Sequence, residues 1–376
     1  MKAAGIRARA VVIGAGIVGA ACARALAIDG FRVTLLDHRP VGSGSTAAGM
    51  GHVVVMDDSE AQFQLCRRSR ELWEELAPQL PAAVEYDHAG TIWVAADDEE
   101  LREVDRKACF YAERGYEARV LDPAELRRKE PNLRPGLAGG LFVPGDRVLY
   151  PPSAARALLD LAPDVEIQIG APVSHLESAA AVRLDGRRFE ADLVVVAAGA
   201  DAPRLVEGSP IRPRKGHLVI TDRYPGFVNS QLIELGYLKS AHGSEAESVA
   251  FNVQPRPTGQ LLIGSSRKFD DLDPTVEPRT LERMLARAIE YIPGLKGLQA
   301  IRSWTGFRAA TPDSLPIIGP IPGLPGVFLA AGHEGLGITT SLATAELVAD
   351  LALGRPPAID PAPYRACREH ADSSHG

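Results

Sequence analysis

Only four cysteines occur in the 376 residues, Cys22, Cys66, Cys109 and Cys367, and no two of them form a CxxC pair. That spacing excludes a zinc or iron–sulfur centre held by this chain, so no metal is expected, and it fits a reducing cytoplasm. Blocks of like charge are missing too. With a net charge of -7, the chain lacks the basic surface that a nucleic-acid partner requires. Long apolar runs are scarce. VVIGAGIVGAACARALAI follows Lys2, Arg7 and Arg9 and imitates a signal peptide, but Arg24 interrupts it and its glycines have a spacing of another kind. Elsewhere no stretch reaches the roughly 18 residues of a membrane span. The expectation is a cytoplasmic protein without spans, for which peripheral attachment at the inner membrane stays open.

What is present is a chain that is 45% hydrophobic and long enough for two or three structural units. Ala10 to Ile13 read as a short strand, then come Gly14, Gly16 and Gly19 in GAGIVG, then helical spacing through Cys22, Leu26 and Ile28. The next strand, FRVTLLD, ends in Asp37, where a carboxylate accepts hydrogen bonds from ribose hydroxyls. Glycine lets backbone approach a pyrophosphate, and the helix start offers unpaired N–H groups. Gly14, Ala15, Gly16, Ile17, Val18 and Gly19 are the expected dinucleotide cradle, with Asp37 and His38 at the ribose.

HRPVGSGSTAAGMGH is rich in Gly, Ser, Thr and Ala where an NAD domain would continue with a plain helix and strand. Ser45 and Thr46 can start a helix directed at a second part of the cofactor, followed by Gly49 and Met50. VVVAAGA reads as a buried parallel strand ending in Gly199 at a sheet's carboxyl edge, where cofactors bind. Near the end, GVFLAAG (326–332) reads as a last buried strand and ITTSLATAELVADLALG as an amphipathic helix closed by Gly354. Between them, Gly332, His333, Glu334, Gly335, Leu336, Gly337 and Ile338 form a strand-to-helix turn.

The middle of the chain is less regular. EYDHAGTIWVAA reads as a pair of short strands, DDEELREVDRKACFYAERG and RTLERMLARAIEYIPG as amphipathic helices, and KGHLVIT and ESVAFNVQPRPTGQLLIG as strands. DPAELRRKEPNL reads as a surface helix with a proline stop. Arg308, between Trp304 and Phe307 and the apolar stretch that follows, is either a fork for a substrate carboxylate or half of a structural salt bridge.

GAGIVGA, GSGSTAAGMGH, DPAELRRKEPNL, DLVVVAAGA (192–200), WTGFRAATPDSLPIIG and AAGHEGLGITTSLATAELV occur in the order found in one family. Over nearly its whole length the sequence resembles the FAD-dependent oxidoreductases of the D-amino-acid oxidase, glycine oxidase and sarcosine oxidase group. The resemblance implies an α/β Rossmann-like FAD-binding domain of the glutathione-reductase type, assembled from 1–85, 145–213 and 302–376. It also implies an α+β substrate domain, 86–144 and 214–301, whose antiparallel sheet roofs the flavin.

Within that resemblance, the Val173 backbone meets the adenine and the turn at 332–338 lies against the flavin pyrimidine ring. Arg308 holds the substrate carboxylate, and His52 either faces the flavin near the reaction centre or is structural. Glycine oxidase carries a second arginine in its final glycine loop, and this chain has none there. His333 and Glu334 contact the amine or a ring hydroxyl of the substrate, or else anchor the turn. No cysteine lies in a flavin motif, so FAD is expected to be noncovalent.

GSGSTAAGMGHVVVMDDS, RPRKGHLVIT and GHEGLGITTS look most like D-hydroxyproline dehydrogenases, which oxidise cis-4-hydroxy-D-proline to a pyrroline carboxylate. The alternatives are a glycine, sarcosine or D-amino-acid oxidase using oxygen, and a non-catalytic flavin-fold binding subunit. The implied partners are a small amino or imino acid and an unassigned electron acceptor, among them partner subunits of a heteromeric dehydrogenase.

Overall fold

The apolar run near the N-terminus forms the middle of a buried sheet rather than a leader: in the computed structural model Ala10, Val11, Val12 and Ile13 are buried and paired on both sides. The structure describes residues 8–177, 181–184, 186–236, 247–269 and 271–368, with 181–184 as backbone only. Lys2 and Arg7 lie outside these residues.

The first half of the chain gives β1 (Arg9–Ile13), α1 (Ile17–Ile28), β2 (Arg32–Asp37), α2 (Ser45–Ala48), β3 (His52–Val53), α3 (Glu60–Leu76), β4 (Thr91–Ala95) and α4 (Asp98–Glu113). Then come β5 (Arg119–Leu121), α5 (Pro123–Lys129), β6 (Gly139–Val143), β7 (Arg147–Val148), α6 (Pro151–Asp160), β8 (Glu166–Ile169), β9 (Val173–Glu177), β10 (Ala181–Leu184), β11 (Arg187–Glu190) and β12 (Leu193–Val196). The remainder holds β13 (Arg212–Arg223), β14 (Gln231–Glu234), β15 (Glu247–Pro255), β16 (Gln260–Phe269), α7 (Pro278–Tyr291), β17 (Ala300–Ala310), β18 (Ile317–Pro320), β19 (Val327–Ala331) and α8 (Gly337–Leu353).

Two large sheets organise these elements. The first runs β18-β19-β12-β1-β2-β8, parallel except for the β18–β19 pair. One of its faces packs on α1, α6 and α8, and the other is covered by the β9-β10-β11 meander, where Val173, Leu176 and Phe189 meet Ile13, Val194 and Val196. A buried parallel sheet reads as near-continuous apolar runs, as β1, β12 and β19 do. The second sheet runs β17-β13-β16-β15-β14-β4-β6-β5. Helix α7 packs on it through Met284, Ala288 and Tyr291, and the Tyr291 ring stacks on Phe251 at 4.3 Å between centroids.

Four expectations are corrected. The roof sheet is antiparallel except for β14 and β4, which pair in parallel because they come from distant parts of the chain. EYDHAGTIWVAA contains one strand, β4; its first half makes only an isolated bridge, Asp87 to Val148. Helix α8 is not amphipathic: wedged against α1 and α3, it is buried on almost every side. Residues 302–310, expected in the cofactor domain, belong to β17, which pairs with β13 along its length in the second sheet. DPAELRRKEPNL is the helix read from sequence, opened by a reciprocal capping box of Asp122 and Glu125. Beyond it, buried Glu130 accepts hydrogen bonds from the Asn229 and Ser230 N–H groups and pins the turn that leads into β14.

Candidate active site

Three glycine-rich segments meet at the carboxyl edge of the first sheet. In the first, Gly14 has φ +109, and a Cβ there would overlap the Ala197 carbonyl; one on Gly19 would overlap the Gly14 carbonyl. These two glycines permit the tight turn and the close approach of α1. Gly16 differs, since its backbone is extended and the nearest atom to a Cβ would be Thr46 Oγ1 at 3.0 Å. Asp37 orders the turn: its carboxylate accepts hydrogen bonds from Ala15 N–H at 2.7 Å and Arg39 N–H at 2.8 Å, and His38 lies 3.3 Å away. Two carboxylate oxygens have about four acceptor sites, so capacity for ribose hydroxyls remains.

The second segment carries the single-turn helix α2. Thr46 Oγ1 accepts the Ile17 N–H at 2.9 Å, tying α2 to the start of α1. Ser45 Oγ donates to the Phe307 carbonyl at 2.5 Å, tying it to β17. Trp304 Nε1 reaches the Ala48 carbonyl, and Gly306 is required there because a Cβ would overlap that of Ala48. Gly199, at φ +55, lies near Ser45.

The third segment is the turn into α8. A Cβ on Gly49 would come within 2.9 Å of Ile338 Cδ1, and Thr339 Oγ1 donates to the His52 carbonyl at 2.9 Å, so α8 starts against the second segment. Gly337 faces Val18 of the first. Gly332 is demanded by its φ of +87 and by Thr311, 2.6 Å from a Cβ. Gly335 and Gly337 are not demanded by any described neighbour: Cβ atoms there would meet nothing closer than 3.8 and 3.5 Å. Their bare backbone leaves space at the junction, and the residues that precede the two helices, Gly16 for α1 and Leu336 for α8, provide no side-chain cap, Thr46 alone taking the Ile17 N–H. A cofactor with a pyrophosphate and an electron-poor ring fits this cradle.

Facing the junction is the inner side of the second sheet. Arg308 Nη1 donates to the Ser266 carbonyl at 3.0 Å, and Gly216 leaves room for the guanidinium. Glu334, in the left-handed region at φ 46, accepts a hydrogen bond from Arg214 Nη1 at 2.9 Å and lies 4.0 Å from Arg267. Burial opposes its ionisation, but Arg267, Arg214 and Arg308 outweigh burial and hold its carboxyl below the ordinary value. Glu334 is thus bound to protein cations. His333, 7% exposed, points under α8 to Thr344 Oγ1 at 3.0 Å, and burial pushes its pKa down to about 3. Both residues are engaged with protein groups, His333 with Thr344 and Glu334 with Arg214.

His52 sits between the cofactor loops and the sheet. Its Nδ1 is 2.7 Å from Gln231 Oε1 and its Nε2 3.5 Å from Asn252 Nδ2. Desolvation, with a further contribution from the Arg308 charge, overrides these hydrogen bonds and lowers its pKa to about 4, so the ring is neutral at physiological pH. Val173 lies on the covering meander beside the end of β2. Arg214, Arg267, Gln231, Asn252 and Gln254 were not among the residues expected from sequence. The available signal was in ESVAFNVQP, where Asn252 and Gln254 alternate with Phe251 and Val253 on a strand with no wet face.

A Rossmann-like sheet with three glycine segments at its edge, covered by a second sheet bearing an arginine, defines a dinucleotide-dependent oxidoreductase acting on small molecules. Residues 9–351 match the family model DAO, FAD dependent oxidoreductase, and the chain belongs to that family. Glycine oxidase of Pseudomonas putida is 30% identical over 94% of this chain and 97% of its own. Two crystal structures superpose closely. Glycine oxidase from Geobacillus kaustophilus has a TM-score of 0.87 at 28% identity, covering 96% of this chain and all of its own. L-proline dehydrogenase from P. horikoshii has 0.84 at 25% identity, covering 96% and 97%. The protein is an FAD-dependent enzyme. Among the described residues no helix is long and apolar enough to cross a membrane, and no cluster of residues suits a metal ion.

Proposed function

We propose that the protein oxidises the CH–NH bond of a D-amino or imino acid, with cis-4-hydroxy-D-proline as substrate and a pyrroline carboxylate as product. The observation that carries the reading is the position of Arg308. It projects from β17 where α2 and the final glycine loop meet the second sheet, with its Nε 3.8 Å from the place of a Gly335 Cβ. A guanidinium there suits a substrate carboxylate, which it binds through paired, charge-assisted hydrogen bonds. The similarity to a proline dehydrogenase supports a cyclic imino acid, and the similarity to glycine oxidases supports amino-acid chemistry in general.

FAD, held by the α1 turn, the α2 segment and the start of α8, would supply the acceptor for a hydride from the substrate carbon. Cys22 and Cys66 are buried in the core, and Cys109 and Cys367 are exposed, which supports noncovalent attachment. Arg308 holds the carboxylate and so fixes the orientation of the adjacent carbon. Neutral His52, engaged on both ring nitrogens by Gln231 and Asn252, does not act as a strong acid and serves to orient those amides. The second sheet excludes water from the junction.

The test is an anaerobic visible titration of the purified protein with cis-4-hydroxy-D-proline, D-proline, sarcosine and glycine. Bleaching at the lowest concentration by the hydroxyproline is expected. Bleaching only by glycine or sarcosine, with peroxide formed on admitting air, would instead identify an oxidase; a yellow protein that none of them bleaches would identify a binding subunit. Dye reduction without peroxide formation would assign electron transfer to an acceptor other than oxygen, such as a partner subunit.

A further inference from the structure

The carboxylate clamp accounts for one end of a substrate, and a second group of residues lies on the same sheet face. Leu232 pairs with Val253 and Ile233 with Asn252, and continuing that register sets Gln231 opposite Gln254. Asn252 and Gln254 are two residues apart and so share a face, opposite to the one on which Phe251 and Val253 pack under α7. Gln231, Asn252 and Gln254 are 0%, 5% and 1% exposed, on the inner side of a sheet whose other face is a dry apolar core.

Each amide uses one end on the cofactor side of the molecule. Gln231 Oε1 takes His52 Nδ1, Asn252 Nδ2 faces His52 Nε2, and Gln254 Nε2 donates to the Met50 carbonyl at 2.8 Å. With the proton on Nδ1, His52 satisfies both neighbours and fixes how their amides are turned. The other ends, Gln231 Nε2, Asn252 Oδ1 and Gln254 Oε1, have no hydrogen-bond partner among the described residues. A buried amide end without a partner is costly to leave so, and three together mark a place completed by something else. The set is uncharged, contains one donor and two acceptors, and lies close enough to Arg308 for that charge to depress His52.

Resting on the reading of the substrate as a hydroxylated cyclic imino acid, we infer that Gln231 and Asn252, oriented by His52, form the pocket that recognises the ring hydroxyl. A hydroxyl both donates and accepts, and Gln231 Nε2 with Asn252 Oδ1 offers the complementary pair. This places the recognition of the hydroxyl on β14 and β15 rather than on His333 or Glu334, which are engaged with Thr344 and Arg214.

The experiment measures kcat/KM of the holoenzyme for cis-4-hydroxy-D-proline and for D-proline, in the parent and in Asn252→Leu, Asn252→Ala and Gln231→Leu. A site built to hydrogen-bond a hydroxyl discriminates strongly against the analogue lacking it, so the ratio of the two constants should fall by about tenfold or more in each variant. His52→Phe, which removes the orienting ring, should lower the ratio in the same direction. A ratio that stays within about threefold of the parent in the variants that retain flavin would overturn the inference and leave a structural or cofactor-contacting role. If the parent enzyme turns over neither ring, the reading of the substrate is wrong and the inference falls with it.

Discussion

Arg214 on β13 and Arg308 on β17 stand directly opposite each other across the strand pair, and Glu334 from the final glycine loop binds the first of them. Like charges at opposed positions repel, so this arrangement persists only with an anion beside it. Glu334 is that anion, and its backbone N–H also bonds the Ala309 carbonyl next to Arg308 at 2.9 Å. The final glycine loop is thereby latched to β13 and β17.

Replacing Glu334 with Gln should therefore destabilise the protein by about 3 kcal/mol, in the range for breaking a buried ion pair from one side. Equilibrium urea unfolding of parent and variant at neutral pH checks this. Because the carboxyl is held below its ordinary value, its contribution is present above about pH 4.3 and is lost as the pH falls through the native-state value. The parent and E334Q should accordingly converge in stability in acid.

Arg308→Ala should lower kcat/KM for carboxylate substrates by roughly 2–5 kcal/mol. Arg308→Lys should recover part of the loss, since an ammonium keeps the charge but not the fork. Steady-state kinetics with an artificial acceptor measures both, and an efficiency of Arg308→Ala within threefold of the parent would show that the carboxylate is held elsewhere.

The glycines divide into two kinds, and substitution separates them. Gly19→Ala forces a Cβ into the Gly14 carbonyl and should reduce both apoprotein stability and FAD binding. Gly337→Ala meets only ordinary contacts within the chain, so apoprotein melting should hardly change while the Kd for FAD rises by about tenfold, or 1.4 kcal/mol. Thermal melts of stripped protein and fluorescence titration with FAD distinguish the two; a Gly337→Ala protein that binds FAD like the parent would remove that backbone from the cofactor surface.

Burial keeps His333 neutral down to about pH 3, whereas an unfolded histidine titrates near 6.5. Between these values the unfolded chain binds the extra proton, so this residue's contribution is complete above about pH 6.5 and shrinks as the pH falls through that window. His333→Gln should flatten the stability–pH slope between pH 4 and 6 by up to about 1.4 kcal/mol per unit. Urea midpoints across that range report it, and an unchanged slope would mean that His333 is charged in the native protein.

The meeting of the glycine segments was legible because its signals are local. GAGIVG, Asp37, Ser45 with Thr46, and the final glycine turn each lie within one strand–turn–helix unit, and the structure brings all of them to one sheet edge. On the facing sheet, Arg308 was the one residue of this group singled out in the sequence. Gln231 meets Asn252 through His52, and Arg214 meets Glu334 across 120 positions, so these contacts come from pairings that no spacing announces. The amphipathic reading of α8 failed for a related reason. Its small polar residues, Thr339, Thr340, Ser341 and Thr344, have their hydroxyls satisfied inside the protein, by the His52, Leu336 and Ile338 carbonyls and by His333. A polar face in the sequence was therefore not a wet one.

The order of strands in the first sheet has a consequence for how the protein is made. β1 emerges from the ribosome first, yet its neighbour β12 follows some 180 residues later and β19 more than 300 later. The start of α8, which meets the other two glycine segments, comes after both. The nascent chain thus carries an apolar strand with one edge unpaired until β12 has been made, a state prone to aggregation. The three glycine segments can come together only once residue 337 has been made, so a chain cut short before it would lack their junction however well its earlier parts folded.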